Sequence, residues 1–257
     1  MTARPTAPNP PETAAGQSLG AMPCYASSCG RVTLYLGDCM DIMPKVRGQM
    51  VMTDPPFSAV THNGARTRTT GAESNALIDF DAMNGADFLA ASRAMLEASE
   101  RWVVMFCDWR HAAMLEPAGL PLVRLGVWVK PNSAPQLTGD RPATGWEGIA
   151  MLHPPTKKRW NGGGSRAVWT ENRVNAVNHP TEKPVGLVGK LINLFTDDGD
   201  TVIDPYMGSG TTGIAAIRTN RRFVGIEKNP THYATALKRI TDELAQGDLF
   251  LGHNKEL

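Results

Sequence analysis

Two stretches of this chain hold the residues most able to do chemistry. The first is Asp54-Pro55-Pro56-Phe57. The apolar run Met50-Val51-Met52 before it predicts a short buried strand that ends at the acid. Pro56 lacks a backbone donor and holds Pro55 in extended geometry. The Asp54 carboxylate and the Pro55 carbonyl are left as acceptors beside a stacking ring, a set that suits an amino group on a flat ring. The second stretch, Asp204-Pro205-Tyr206-Met207-Gly208-Ser209-Gly210-Thr211-Thr212-Gly213, ends in a literal Gly-x-Gly-x-x-Gly. Glu227 follows Gly208 by nineteen residues, at the end of the next predicted strand. Glycines let a backbone approach a ligand closely, and a carboxylate so placed can accept two ribose hydroxyls.

Three ligands compete for such a loop. A phosphate-loop nucleotide would call for Gly-Lys-Ser/Thr, which the chain lacks here. A nicotinamide dinucleotide would place the glycines directly off the strand, whereas Asp204-Pro205-Tyr206-Met207 intervenes. That spacer puts an acid where the ligand must lie, and an acid repels a pyrophosphate but accepts from an ammonium. S-adenosylmethionine, with an ammonium, a sulfonium and a ribose but no phosphate, fits this chemistry best.

The elements that must position these stretches alternate between strand and helix. Predicted strands are Val32–Leu36, the run before Asp54, Trp102–Phe106, Leu122–Val129, Gly148–Leu152, Thr201–Ile203 and Arg222–Ile226. Predicted helices are a short piece around Met40–Val46, Ala86–Ser99, Arg110–Glu116, Val185–Phe195, Thr211–Thr219 and Thr231–Glu243. This alternation argues for an α/β fold with a doubly wound, mostly parallel sheet and helices on both faces. Residues 1–22, rich in Pro, Ala and Thr without periodicity, predict a disordered tail, and 251–257 a second tail. Between them, 23–250 form the catalytic domain. It includes a long mobile loop over 58–84 and a small irregular insertion over 132–178.

At 257 residues the chain can bury a substantial core, and 42% hydrophobic with 20% charged residues is ordinary for a globular protein. Net charge is only +1, so any nucleic-acid surface must be local. Residues 138–178 carry six basic against three acidic residues, a local +3, with Trp146, Trp160 and Trp169 interleaved. Lys157, Lys158, Arg159, Arg166 and Arg173 there, with Arg66 and Arg68 in the long loop, are the candidate phosphate-contacting cations. Four sparse cysteines without Cys-x-x-Cys pairing predict neither a zinc site nor a disulfide framework. No apolar run reaches the roughly 20 residues that span a bilayer. The expectation is a cytoplasmic protein without a metal. The six histidines show no ligand spacing and are expected to pack or face solvent.

The chain resembles the amino-group DNA methyltransferases of the Asp/Asn/Ser-Pro-Pro-aromatic type. The likeness rests on Asp54-Pro55-Pro56-Phe57 and Asp204–Thr212, flanked by Gly37-Asp38-Cys39 and His179-Pro180-Thr181-Glu182-Lys183-Pro184, and covers about 31–243. The catalytic motif precedes the cofactor motif, the order of the β group. Its fold is a cyclically shifted, Rossmann-like class I methyltransferase sheet. The resemblance implies that Asp54, Pro55, Pro56 and Phe57 form the catalytic pocket, with Phe57 stacked on a base flipped from double-stranded DNA. It further implies S-adenosylmethionine as cofactor. Asp204, Gly208, Gly210 and Thr211 would line its amino-acid portion, helped by Thr181 and Lys183. Glu227 would hold the ribose and Asp38 the adenine, with Cys39, Tyr206, Ser209 and Thr212 completing the surround.

Tyrosine is the commoner family residue at Phe57, so the ring is kept and a hydroxyl lost. Adenine N6 is the expected target. Cytosine N4 is the alternative, although Ser-Pro-Pro-aromatic is more usual there. A catalytically silent DNA-binding relative and, more distantly, a nicotinamide oxidoreductase are the readings from other classes. A homodimer and a cognate restriction endonuclease are the further partners such a protein would have.

Overall fold

The central strand-forming runs Met50–Met52 and Trp102–Phe106 have no polar side to turn towards water, so each needs cover on both faces. A computed structural model describes residues 23–59, 61, 82–136, 139–174 and 182–252, and shows that cover. Nine strands form one sheet: β1 (Tyr25–Ala26), β2 (Val32–Leu36), β3 (Gly48–Thr53), β4 (Ser99–Cys107), β5 (Leu122–Val129), β6 (Trp146–Leu152), β7 (Val168–Thr170), β8 (Thr201–Asp204) and β9 (Arg222–Glu227). The helices are α1 (Cys39–Ile42), α2 (Gly85–Ala98), α3 (Trp109–Leu115), α4 (Val185–Phe195), α5 (Thr211–Arg218) and α6 (Pro230–Gly252).

Period-two alternation sorts the core. Met50, Met52, Val104 and Phe106 face one side, where Leu187, Leu191, Phe195, Ile214, Ala236 and Ile240 from α4, α5 and α6 cover them. Val51, Val103 and Met105 face the other, under Ile42, Phe88, Met95 and Leu115 from α1, α2 and α3. Helices therefore lie on both faces, as the alternation predicted.

The spatial strand order is β1-β2-β9-β8-β3-β4-β6-β5-β7. Pairing is parallel from β2 through β9, β8 and β3 to β4, while β6 runs antiparallel between β4 and β5. From β8 the chain winds outward through α5 to β9, and from β3 it winds the opposite way through α2 to β4. The reversal lies between β8 and β3, and ligands in open sheets of this kind bind beyond the carboxyl ends of the strands at that point.

Three expectations need revision. The segment 132–178 carries the expected strand at Gly148–Leu152, extended to Trp146 and placed inside the sheet as β6, and adds the edge strand β7, which was not expected. Residues 24–30, expected as an irregular lead-in, contain β1 paired to β2. The last helix runs to Gly252 rather than ending at Glu243, and 253–257 lie outside the described residues. The tail 1–22 and residues 60 and 62–81 of the long loop, with Arg66 and Arg68, lie outside the described residues, as does 175–181 with Thr181. Among the described residues no helix is long and apolar enough to cross a membrane.

Candidate active site

Five neighbouring parallel strands each end in an acid. Asp38 follows β2, Asp54 follows β3, Asp108 follows β4, and Asp204 and Glu227 are the last residues of β8 and β9. Because the strands are parallel, all five acids collect on one edge of the sheet. Asp54 and Asp204 lie on either side of the reversal, and the Thr53 hydroxyl joins the two strands by donating to Asp204 Oδ1 at 2.6 Å. The two motifs, 150 residues apart in sequence, thus meet side by side on one edge of the sheet.

The motif's conformation is fixed from behind. Asp108 caps α3 by accepting from the His111 N–H at 2.9 Å, and also accepts from the N–H and hydroxyl of Ser58, directly after Phe57. Burial alone would raise this carboxyl, but the Ser58 and His111 donors outweigh it and hold it below the usual range. The Phe57 carbonyl accepts from Met83 N–H at 3.1 Å, so the long segment leaves and rejoins the sheet at the motif.

The glycine loop is shaped by two left-handed residues, Gly208 (φ 52°) and Gly210 (φ 87°). A Cβ on Gly210 would also stand 3.1 Å from the Ala236 Cβ. Glu227 accepts from Gly208 N–H at 2.9 Å and Asn229 N–H at 2.8 Å, which ties the loop to the end of β9. Burial pushes the Asp204 carboxyl up to about 6, partly offset by the Thr212 and Thr53 hydroxyls. Asp38 caps α1 through Met40 N–H at 2.9 Å. Beside it the Tyr206 hydroxyl meets the buried Cys39 thiol, and burial raises both groups.

Lys183 departs from its expected place. Its ammonium pairs with Asp54 and lies 3.4 Å from Glu147 Oε2, rather than lining the glycine loop. The preceding Glu182 turns to the loop instead, accepting from the Thr211 hydroxyl at 3.3 Å and from Arg239. Arg239 also donates to the Ser209 carbonyl and hydroxyl, both at 2.8 Å. Lys183 is walled in by the Phe57 and Phe106 rings, 5.5 and 5.0 Å from its nitrogen, and Glu147 is held on its other oxygen by Lys130.

Sequence reasoning missed Glu147, Lys130, Asp108 and Arg239. Of these, only Asp108 carried a signal, as an acid closing a buried strand like Asp54 and Asp204. Histidines 111 and 153 do pack, the first stacked on Phe88 at 4.2 Å and the second edge-on to Trp102 at 4.6 Å.

Residues 49–238 match the family model described as DNA methylase, the N6/N4 methylases. The chain belongs to the N6/N4 DNA methylase family. The type II methyltransferase M.XycI of Xanthomonas campestris pv. cyanopsidis is 36% identical over 150 residues, which is 53% of this chain and 50% of that protein. The chain therefore spans about half the length of that curated relative. The crystal structure titled as the M1.HpyAVI–SAM complex is 25% identical with a TM-score of 0.60, covering 81% of this chain and 99% of the other. The PvuII DNA methyltransferase, titled cytosine-N4-specific, matches in fold at a TM-score of 0.66 and 18% identity, over 87% of this chain and 94% of the other. These likenesses give this family member a Rossmann-like methyltransferase fold of the β group, with the motif order shifted as the sequence indicated.

The candidate DNA contacts separate within this frame. Arg173 lies on the motif edge, where its N–H donates to Asn132 Oδ1 at 2.7 Å just beyond β5. Lys157, Lys158 and Arg159 follow the end of β6. The antiparallel β6 carries the chain to the opposite end, where Arg159 pairs with Asp197 at 2.7 Å. Arg166 borders an open groove of about 660 Å³ with Trp169, Lys190 and Asn193, which none of the motif residues line. On the motif edge, Trp109 is 57% exposed with the Arg110 guanidinium 4.2 Å from its ring.

Proposed function

We propose that this chain is a DNA methyltransferase that moves a methyl group from S-adenosylmethionine to the exocyclic N6 of adenine in double-stranded DNA. The observation carrying this reading is that Asp54-Pro55-Pro56-Phe57 and the Asp204–Thr212 loop lie side by side at the sheet reversal, joined through Thr53 and Asp204. The residues present fit that cofactor. The left-handed Gly208 and Gly210 turn the loop tightly at the strand end, Asp204 offers an acceptor for an ammonium, and Glu227 and Asp38 close the side towards β9 and β2. Thr181 belongs to the same proposed surround.

When bound, the cofactor supplies an electrophilic methyl carbon whose bond to sulfur breaks with the electron pair leaving on sulfur. Asp54 and the Pro55 carbonyl accept from the two hydrogens of the target amine. That draws the nitrogen towards a tetrahedral shape and frees a lone pair otherwise delocalised into the ring. The Asp54 charge stabilises the positive nitrogen as its bond to carbon forms, and the nitrogen then releases a proton to water. Phe57 stacks on the flipped base, which Pro56 helps to orient. The duplex lies along the motif edge, with Arg173, Arg110 and Trp109 towards it and Arg66 and Arg68 contributing from the long segment. Asp rather than Ser at position 54 favours adenine over the cytosine N4 alternative. The site of action is the cytoplasm.

The direct experiment is expression in a methylation-free host followed by modification-sensitive sequencing of its genome. N6-methyladenine at one short motif is the expected result. N4-methylcytosine would replace the base assignment, and an unmodified genome would refute the activity.

A further inference from the structure

Resting on that reading, the geometry points to a role for Glu147. We infer that Glu147 is a positioning residue that draws the Lys183 ammonium off Asp54 as the target amine enters, unmasking Asp54 as an acceptor.

In the free protein the charge of Asp54 is already countered. Its Oδ2 is paired with Lys183, which leaves Oδ1 to accept but weakens it as an acceptor and as a stabiliser of positive charge on the amine. Asp54 recovers its full strength only if the cation has somewhere else to go. Water is not available to it: the Lys183 side chain is only 8% exposed, and the Phe57 and Phe106 rings stand 5.5 and 5.0 Å from its nitrogen. An ammonium cut off from both water and carboxylates would lose its proton.

The second carboxylate within reach is Glu147. Its Oε2 is buried, has no hydrogen-bond partner among the described residues, and lies 3.4 Å from the lysine nitrogen. Closing that gap to a full ion-pair bond of about 2.8 Å takes a movement of well under about 1 Å. The receiving group is itself held still. Lys130 pairs with Glu147 Oε1, and the Lys130 ammonium sits 4.8 Å from the Trp128 ring.

The charged and titratable groups facing Asp54 are Lys183, Glu147, Lys130, Asp204 and Cys107. Their balance agrees with the transfer. Burial alone would raise Glu147, but Lys183 and Lys130 outweigh it and hold it below the usual range. Burial raises Asp54 despite Lys183, helped by the charge of Glu147. Burial alone would lower Lys183, but Asp54 and Glu147 outweigh it and keep it charged above its usual value. Of the two carboxylates, Glu147 is the one that more readily keeps a negative charge for the lysine to join.

The test reads Asp54 without turnover first. Carbon-13 NMR of the carboxyls, with Asp54 assigned through Asp54→Asn, should show its titration midpoint fall in Glu147→Gln, where the lysine no longer has a second site. It should rise in Lys183→Met. An Asp54 midpoint unchanged in both variants would overturn the inference whatever the activity of the protein.

Single-turnover methyl transfer then supplies the kinetic half. Glu147→Gln should slow transfer about tenfold or more and move the acid limb to lower pH, with cofactor affinity within about twofold of wild type. Glu147→Asp, which keeps the charge, should recover part of the rate. In a Lys183→Met background the Glu147→Gln change should add almost nothing. The same slowing in both backgrounds, or a wild-type rate and pH profile in Glu147→Gln, would refute the handover. A wild-type protein that transfers no methyl to DNA would instead refute the function on which it rests, leaving the carboxyl titrations to decide the coupling.

Discussion

The two edges of the sheet use the same residue types to different ends. At the amino-terminal edge, Arg101 and Arg159 converge on Asp197, and Arg101 also pairs with Asp200, tying the approach to β8 to the start of β4. Arg159 is 61% exposed and Asp197 36%, so water competes for that bond, while Arg101 and Asp200 are each 18% exposed. At the carboxyl edge, Lys183 and Glu147 are 8% and 19% exposed, and their partners are other buried charges. Exposed pairs contribute little to stability, whereas enclosed ones shift protonation and constrain where each charge can move. What sets the carboxyl edge apart is one enclosed ammonium, Lys183, shared between two carboxylates, where the amino edge has arginines reaching towards solvent.

The contrast can be broken most severely at the loop. Gly210→Val forces a branched side chain into a left-handed conformation at φ 87° against Ala236. Strain of about 1–3 kcal/mol is expected, with cofactor affinity down about tenfold or more by calorimetry. Affinity unchanged in a folded variant would remove the loop from the site.

Titration gives the next largest effect. Because burial pushes Asp204 up to about 6, its protonated form favours the folded, ligand-free protein. That stabilising contribution is complete below the ordinary carboxylate range and is lost as pH rises through about 6. An ammonium ligand prefers the ionised acid. Cofactor affinity should therefore fall about tenfold from pH 7 to pH 5, and Asp204→Asn should abolish that dependence.

Smaller effects set one edge against the other. Asp108→Ala removes a helix cap and the Ser58 anchor, so denaturant titration should show a loss of about 1–2 kcal/mol together with slower methyl transfer. Asp197→Ala, at the opposite edge, should cost under about 1 kcal/mol and leave the transfer rate as it was. Equal kinetic effects from the two changes would mean that the edges are not functionally distinct.

Much of this frame was legible in the sequence. Leu122–Val129 and Val185–Phe195 form as read, because their apolar spacing and bounding turns are local signals. Asp54 and Asp204 were legible as a pair because each closes an apolar strand before a proline. The position of β6 was not, since its antiparallel pairing between β4 and β5 depends on contacts across the sheet. Glu147 stayed hidden for the same reason: nothing near it in sequence marks an acid that only the sheet brings to Lys183. Lys183 was found within its motif, but its ion pair with Asp54 was not foreseen. Adjacent side chains entering α4 point to different sides of the cleft, and sequence spacing does not say which. Where the cations Lys157–Arg159 sit was not legible either, because charge counting cannot tell one end of an antiparallel strand from the other.

The central claim is that one pocket holds the methyl donor against an amine gripped by Asp54. It is tested most directly by following labelled methyl transfer from S-adenosylmethionine to DNA in Asp54→Ala alongside cofactor affinity. The account predicts transfer reduced by about 10²–10³-fold or more with affinity within about twofold of wild type. Transfer at the wild-type rate would contradict it.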